Sequence, residues 1–495
     1  MVDPLYASLA LYLLVMLAIG LYGLRTATGN LSEYMLGGRR LHPAVGALSA
    51  GASDMSGWML MGLPGAVFVS GLSAAWIAIG LSVGAYFNYR LVAPRLRVYT
   101  ELAGDAVTIP DFFAQRFNGK GHALRLFASA VIVVFFTLYT ASGLVAGGKL
   151  FEAAFGAPYA TGVLVTGSAV VAYTLIGGFL AVSLTDFVQG SIMFVALVLV
   201  PLVTLGGLDS DLSTAMASFP DGYSELFAGT TLIGVLSTAS WGLGYFGQPH
   251  IIVRFMAIRS AADMPTARRI GMSWMLIAIA GAVATGYVGA GYVAHHGATL
   301  EDPETVFIYL ANVLFNPWIS GFLLAAVLAA IMSTISSQLL VSSSSLTEDF
   351  YRRFLHRKAS ETTLVRVGRL SVLAVAALAY LLAQDQNNSI LGLVANAWAG
   401  FGAAFGPTVL LSLFWRDFTG RGALASMVTG AVTVLLWIYV PIDRDGTTLS
   451  SILYEIVPGF IAAALAGISV SRLTNPETRD ITDRHAAVVA RLSPQ

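Results

Sequence analysis

The sequence predicts an all-α polytopic membrane protein of about 13 transmembrane helices, and three observations carry that prediction. First, 56% of the 495 residues are hydrophobic and only 11% charged, against roughly 25% charged in an ordinary soluble domain; the mean hydropathy is +0.75. Second, thirteen apolar segments follow one another at 5–24, 43–69, 72–92, 123–149, 159–178, 185–206, 229–249, 270–294, 318–345, 367–383, 389–415, 422–440 and 451–471, each near the length that crosses a bilayer. Third, the basic residues are segregated. If the first connection (Arg25, Arg39, Arg40) is cytoplasmic, alternate connections from there and the tail collect 25 of the 27 Lys and Arg, leaving only Lys149 and Arg444 elsewhere. That asymmetry predicts an outside N-terminus, a cytoplasmic C-terminus and so an odd number of spans.

Composition excludes several classes. Net charge is zero, which gives no reason to expect nucleic acid, and there is no cysteine, which excludes disulfides, thiolate metal sites and cysteine nucleophiles. Met1 to Pro4 carries Asp3 and no basic residue, so the first apolar segment is expected to stay in the protein rather than serve as a signal peptide. No linker divides the chain, and one transmembrane domain is expected over 1–495.

In the second segment, Ser49-Ala-Gly-Ala-Ser-Asp-Met-Ser-Gly-Trp58 places a carboxylate, three serines and two glycines mid-span. A carboxylate at membrane depth is costly, and glycine is a poor helix former. Irregular backbone within a membrane is tolerated where it lines a cavity. The stretch therefore reads as a broken helix whose carbonyls and hydroxyls hold a cation. Tight packing through small residues, with Asp54 paired inside the bundle, is the other reading. Segments five and six are parted only at Gly177-Gly178.

The seventh segment breaks as well, at Ser240-Trp-Gly-Leu-Gly-Tyr-Phe-Gly-Gln-Pro249, because glycines and a proline cannot form a regular helix cheaply. Trp241 and Tyr245 are spaced to share a helical face, suited to an apolar solute or to plain packing. Two interrupted spans running in opposite directions point to a transporter site between two inverted halves: 43–206 and 229–415, with 5–24 and 422–471 peripheral and 472–495 a loosely ordered cytoplasmic tail. The outer connections are acidic (Asp209, Asp211, Asp221, Glu225; Glu301, Asp302, Glu304), and Val306 to Leu314 reads as a short amphipathic helix. The ninth segment ends in Ala329-Ala-Ile-Met-Ser-Thr334, whose adjacent hydroxyls are hard oxygens suited to an alkali cation, although hydroxyls in membrane helices also bond back to their own backbone. The seven histidines are scattered and read as interfacial.

The runs Leu48–Trp58, Met61–Val67, Ile176–Val182, Trp241–His250, Ala329–Thr334 and Ala397–Pro407 resemble the sodium/solute symporter family, specifically its proline-carrying bacterial members, over nearly the whole chain. The resemblance implies a LeuT-like 5+5 inverted repeat and sodium-coupled uptake of L-proline across the cytoplasmic (inner) membrane by alternating access, not an enzyme. It maps a sodium site onto Ala52, Met55, Ala330, Ser333 and Thr334, with Asp54 supporting or gating it and Arg39 gating from the cytoplasmic side. It maps the substrate pocket onto Ser56, Gly57, Trp58, Tyr139, Trp241, Tyr245 and Pro249. Another small amino acid or organic solute as cargo, or a proton as driver, are the alternatives; a sensor and an intramembrane enzyme are the remaining rivals.

Overall fold

The structure, a computed structural model, describes residues 4–26, 35–117, 121–208, 212–442, 447–475 and 479–492. Lipid offers no hydrogen-bond partner, so spanning backbone must satisfy itself within helices. Among the described residues there is no β-strand; two isolated bridges join Leu41 to Ile258 and Pro441 to Thr448. By length and apolarity, ten helices among the described residues qualify as membrane spans. The expectation of thirteen counts additional segments that are broken or short, and it rests on the charge pattern.

Helix α1 (Pro4–Thr26) packs against two helices that come later in the chain. The first broken helix follows. Its first half, α2 (Pro43–Asp54), starts with Pro43 in the first turn and His42 capping Ala44 N–H. After the break come a π-helical turn, Trp58–Gly62, and α3 (Leu63–Ser70). Helices α4 (Ala75–Phe87) and α5 (Ala93–Leu102) are joined by a second π-helical turn, Asn88–Val92. A short α6 (Ile109–Arg116) leads to the long α7 (Gly121–Phe155). Segments five and six are one run, α8 (Tyr159–Gly206), bent at Gly178, where φ is 61°. A five-residue α9 (Leu212–Met216) precedes the second broken helix.

That second break joins α10 (Leu232–Ala239), a 3₁₀ stretch Ser240–Gly247 and α11 (Pro249–Ala257). Helices α12 (Met264–His295), α13 (Val306–Leu314), α14 (Pro317–Ser344), α15 (Glu361–Leu382) and α16 (Ile390–Phe414) follow. Of the last three, α17 (Gly420–Tyr439) and α18 (Ile456–Leu473) pack on each other and on α16. The third, α19 (Arg479–Leu492), lies in the tail. The expected amphipathic helix over Val306–Leu314 is present as α13.

The bundle's centre lies where the two broken helices meet α14. Helix α11 packs on α2, and α14 packs on α2, α7 and α8. The 3₁₀ stretch lies on α16 and α4. Its approach to α4 is backbone on backbone: a Cβ on Gly84 would lie 2.1 Å from Gly242 O, and one on Gly242 would lie 2.2 Å from Gly80 O.

Several expectations need correction. The seventh segment does not stop at Pro249; it resumes as α11 to Ala257, because Arg254 had lowered its apparent hydropathy. Arg254 is wholly buried, and Arg97, Arg116 and Arg125 are buried as well. Buried arginines need acidic or carbonyl partners, and Arg125 has Asp111 while Arg97 reaches Ile258 O. The tail is not loose. Ile481, His485 and Val488 of α19 are buried, α19 packs on α5, and Arg491 pairs with Glu101 at 3.1 Å. His250 is buried inside the bundle rather than interfacial. Lys120, Asp209, Asp211 and Arg444 lie outside the described residues.

Candidate substrate and cation site

The first break is visible in its hydrogen bonds. Met55 leaves helical geometry, with φ −84° and ψ 79°. A continued helix would carry Ser56 N–H to Ala52 O; instead Ser56 N–H donates to Asp54 O at 3.0 Å. Ala52 O is thereby released, and it accepts from Ser333 Oγ at 2.7 Å and Thr334 Oγ1 at 3.4 Å, both on α14. Ser333 Oγ also donates to Ala330 O at 3.0 Å. Four of the five residues expected at a cation site thus form one buried group of oxygens, and Met55 sits at the break three residues beyond Ala52.

Asp54 turns elsewhere. Its side chain is buried and accepts from Tyr245 Oη through Oδ2, and no hydrogen bond joins that side chain to Ser333 or Thr334. The Asp54 carbonyl collects the expected substrate residues: Trp58 Nε1 donates to it at 3.0 Å and Tyr139 Oη at 3.4 Å. Ser56 Oγ accepts from Trp58 N–H at 3.4 Å. Gly57 is sterically required, since an added Cβ would lie 2.8 Å from Ala146 Cβ on α7 and 3.2 Å from Ile331 Cγ1 on α14.

The second break supplies the aromatic wall. The Trp58 and Trp241 rings are 6.5 Å apart, and Trp241 stacks at 6.5 Å on Trp398 of α16. Tyr245 meets Trp398 edge-on at 5.2 Å. Trp398 Nε1 donates to Trp241 O at 2.7 Å, and Gln248 Nε2 donates to Trp398 O at 3.0 Å. Gly244 permits this approach: a Cβ there would fall 1.9 Å from Trp398 Nε1. Pro249 opens α11, and the next residue, His250, lies 5.9 Å from the Tyr139 ring.

Beyond the oxygen group lies a buried ion pair. Arg254 meets Asp186 of α8 at 3.2 Å, with both side chains wholly buried. Ser49 Oγ donates to Asp186 at 2.7 Å, and Arg254 donates to Ser49 Oγ, Ser337 Oγ and His250 O. This network ties together α2, α8, α11 and α14. Before α2, Arg39 bonds Asp105 at 2.7 Å, Thr100 Oγ1 at 3.1 Å, Met256 O at 2.9 Å and Ala106 O at 2.7 Å, joining the entry to α2 with the ends of α5 and α11. Near the other end of the broken helix, Lys149 pairs with Asp302 and Glu304, and Glu304 caps the first N–H groups of α16 at Ile390 and Leu391. A cavity of ≈ 720 Å³ opens there, bordered by Glu152, Glu301 and Ser389.

Sequence reasoning assigned no role to Trp398, Gln248, Asn88, Asp186 or Arg254. Trp398 lies in a run already singled out, and Asp186 is a carboxylate inside an apolar segment, the same signal that drew attention to Asp54.

The geometry has counterparts. The family model for the sodium:solute symporter family matches residues 34–430. The osmoregulated proline transporter OpuE of Bacillus subtilis is 56% identical over 470 residues, 94% of each chain. Sodium/proline symporter 2 of Staphylococcus saprophyticus is 55% identical over 475 residues, 95% of this chain and 93% of that one. Among solved structures, a Na⁺-coupled sialic acid symporter in a substrate-bound outward-open state superposes with a TM-score of 0.79 at 18% identity, over 96% of this chain and 99% of that one. The nucleobase-cation-symport-1 family transporter MHP1 follows with a TM-score of 0.57 at 14% identity, over 92% and 98%. The fold is the expected LeuT-like one, in which the protein works as a transporter rather than an enzyme, and the chain belongs to the sodium:solute symporter family.

Proposed function

We propose that this multi-pass membrane protein takes up L-proline with sodium across the bacterial cytoplasmic membrane, its N-terminus outside and its C-terminus inside. In this reading 43–206 and 229–415 are inverted repeats that rock about the two breaks. The observation that carries it is the convergence of Ser333 and Thr334 on the Ala52 carbonyl released by the first break. These are hard, neutral oxygens at membrane depth, contributed by two different helices. A sodium ion held by them, with the Ala330 and Met55 carbonyls, joins α2 to α14 and favours one arrangement of the bundle.

Proline brings a carboxylate, a secondary ammonium and an apolar ring. The N-terminal end of α11 suits the carboxylate through its helix dipole, its Ile251 and Ile252 N–H groups being already bonded to Gln248 O. Freed carbonyls suit the ammonium, and Trp58, Trp241 and Tyr139 suit the pyrrolidine and its charge. Arg39 holds the inner end closed through its four bonds, and the ≈ 720 Å³ cavity beside Lys149 and Glu304 is the outer approach. One charge moving down a potential of 100 mV supplies about 2.3 kcal/mol before any concentration difference is counted.

The test is uptake of radiolabelled proline into proteoliposomes with and without an inward sodium gradient. Uptake should depend on sodium. Ser333→Ala and Thr334→Ala should each raise the half-saturating sodium concentration about 10- to 100-fold, since a polar contact to a charged group is worth about 1.5–3 kcal/mol. Proline uptake indifferent to sodium would overturn the cation site. Sodium binding without proline uptake would keep the site and change the cargo.

A further inference from the structure

Trp241 stands on backbone that gives it little support. Side chains in a helix lean on the residues three and four positions away. For Trp241 these include Ser237, Thr238 and Gly244, two small hydroxyl residues and one with no side chain, while Tyr245 turns to Asp54 and Trp398. The indole is buried all the same, so other parts of the chain must hold it. Two rings stack on it: Trp398 of α16 at 6.5 Å and 28°, and Tyr454 at 5.3 Å and 25°.

Tyr454 lies outside both inverted halves, in the connection between α17 and α18. It is buried and tied at both ends. Its N–H donates to Ser237 Oγ of α10 at 3.2 Å, and its Oη donates to Ala395 O of α16 at 2.8 Å. The connection that carries it is pinned to α17 by Trp437, whose Nε1 donates to Leu453 O at 2.9 Å and whose carbonyl accepts from Ser450 Oγ at 3.2 Å. Two residues on, Ile456 reaches the same break: a Cβ on Gly402 would lie 2.6 Å from Ile456 Cδ1 and 2.9 Å from Gly244 Cα. A binding wall works when its side chains are locked by packing and by supporting hydrogen bonds. Tyr454 supplies that lock, since its ring is fixed by bonds to both elements that flank Trp241.

We propose that Tyr454 is a positioning residue of the substrate pocket, which fixes the plane of the Trp241 indole so that the solute meets a preformed wall. This rests on proline being the cargo and on Trp241 lining its pocket. It gives the α17–α18 pair, which the sequence places at the periphery, a part in recognising the solute.

The experiment is proline and sodium titration of uptake in proteoliposomes, with thermal unfolding midpoints of the same purified proteins. Tyr454→Met removes the ring and keeps much of the bulk. It should raise the half-saturating proline concentration about 3- to 10-fold, the size of one aromatic pair, and leave the maximal rate and the sodium requirement unchanged. Tyr454→Phe keeps the ring and should restore most of the affinity. A proline requirement in Tyr454→Met within twofold of wild type would overturn the proposal. So would proline and sodium requirements that rise together as the unfolding midpoint falls, which is general loosening. Tyr454→Phe as impaired as Tyr454→Met would move the effect to the Ala395 bond and overturn the role of the stack. If Tyr454→Met does not fold, Tyr454→Leu takes its place under the same criteria. Absence of proline uptake by wild type would overturn the cargo reading and this inference with it, whereas normal uptake in every variant would overturn this inference alone.

Discussion

Consider the removal of either half of the buried Asp186–Arg254 pair. Both side chains are wholly buried and 3.2 Å apart, and deleting one partner of such a pair costs about 3–5 kcal/mol because the other charge is stranded. The two deletions are not equivalent here. In Arg254→Met the Asp186 carboxylate keeps the hydroxyls of Ser49 and, beside it, Ser337, and its Oδ1 has no partner even in the intact protein. In Asp186→Asn the guanidinium keeps Ser49 Oγ, His250 O and Ser337 Oγ, and it lies 5.3 Å from the Phe179 ring. Arg254→Met should therefore sit at the upper end of that range and Asp186→Asn well below it. The double variant Asp186→Leu/Arg254→Met removes both charges and should be closer to wild type than Arg254→Met alone, since apolar replacement of a buried pair is often neutral. Thermal unfolding midpoints of the purified proteins in detergent give the order. Equal losses from the two single variants, or a double variant whose loss is their sum, would refute the reasoning.

Three further perturbations follow from the geometry. Gly57→Ala should cost about 1–3 kcal/mol by overpacking and depress transport, and Ala146→Gly in the same chain should restore part of it by removing the Cβ 2.8 Å away; uptake rates of the single and double variants check this. Trp398→Phe keeps a ring but deletes the donor to Trp241 O. The stranded carbonyl should raise the half-saturating proline concentration about 5- to 30-fold, equivalent to about 1–2 kcal/mol, with the sodium requirement unchanged in uptake assays. Burial and the neighbouring Arg116, Arg95 and Arg416 push the His485 imidazole down to about 4. A depressed histidine stabilises docking of α19 fully above its free value of about 6.5, and that contribution is lost as pH falls toward 4. Proteolysis of the tail should accelerate over that window and become insensitive to pH in His485→Phe.

What the sequence made legible follows from what the membrane forbids. Hydropathy marked the long helices because unbroken apolar runs have one solution in lipid, and Gly, Ser and Pro marked both breaks to within a residue or two, at Met55 and at Gln248. The same measure misread residues whose polarity is satisfied inside the bundle. Arg254 carries a charge, so hydropathy ends the segment holding it at Pro249, although Asp186, Ser49, Ser337 and His250 O accommodate that charge. The tail reads as loose because α19 is polar on most of its surface, and only the spacing of Ile481, His485 and Val488 shows the face that docks on α5.

At the site, local signals identified residues but not which way they point. Asp54 stands out as a carboxylate between Ala52 and Met55, and the resemblance gives it the role of supporting or gating the cation site they help form. The break itself separates them: once Ser56 N–H moves to Asp54 O, the Ala52 carbonyl is free for Ser333 and Thr334, while the Asp54 side chain reaches Tyr245. Trp398 is more than 140 residues from either break, and nothing in its own neighbourhood gives it a partner. Its role exists only because Gly244 lets its indole reach the Trp241 carbonyl and Gln248 pins its own carbonyl. A motion that separates the two broken helices must therefore break the Tyr245 contact to Asp54, while the bonds of Trp398 to Trp241 and Gln248 carry α16 along with the second break.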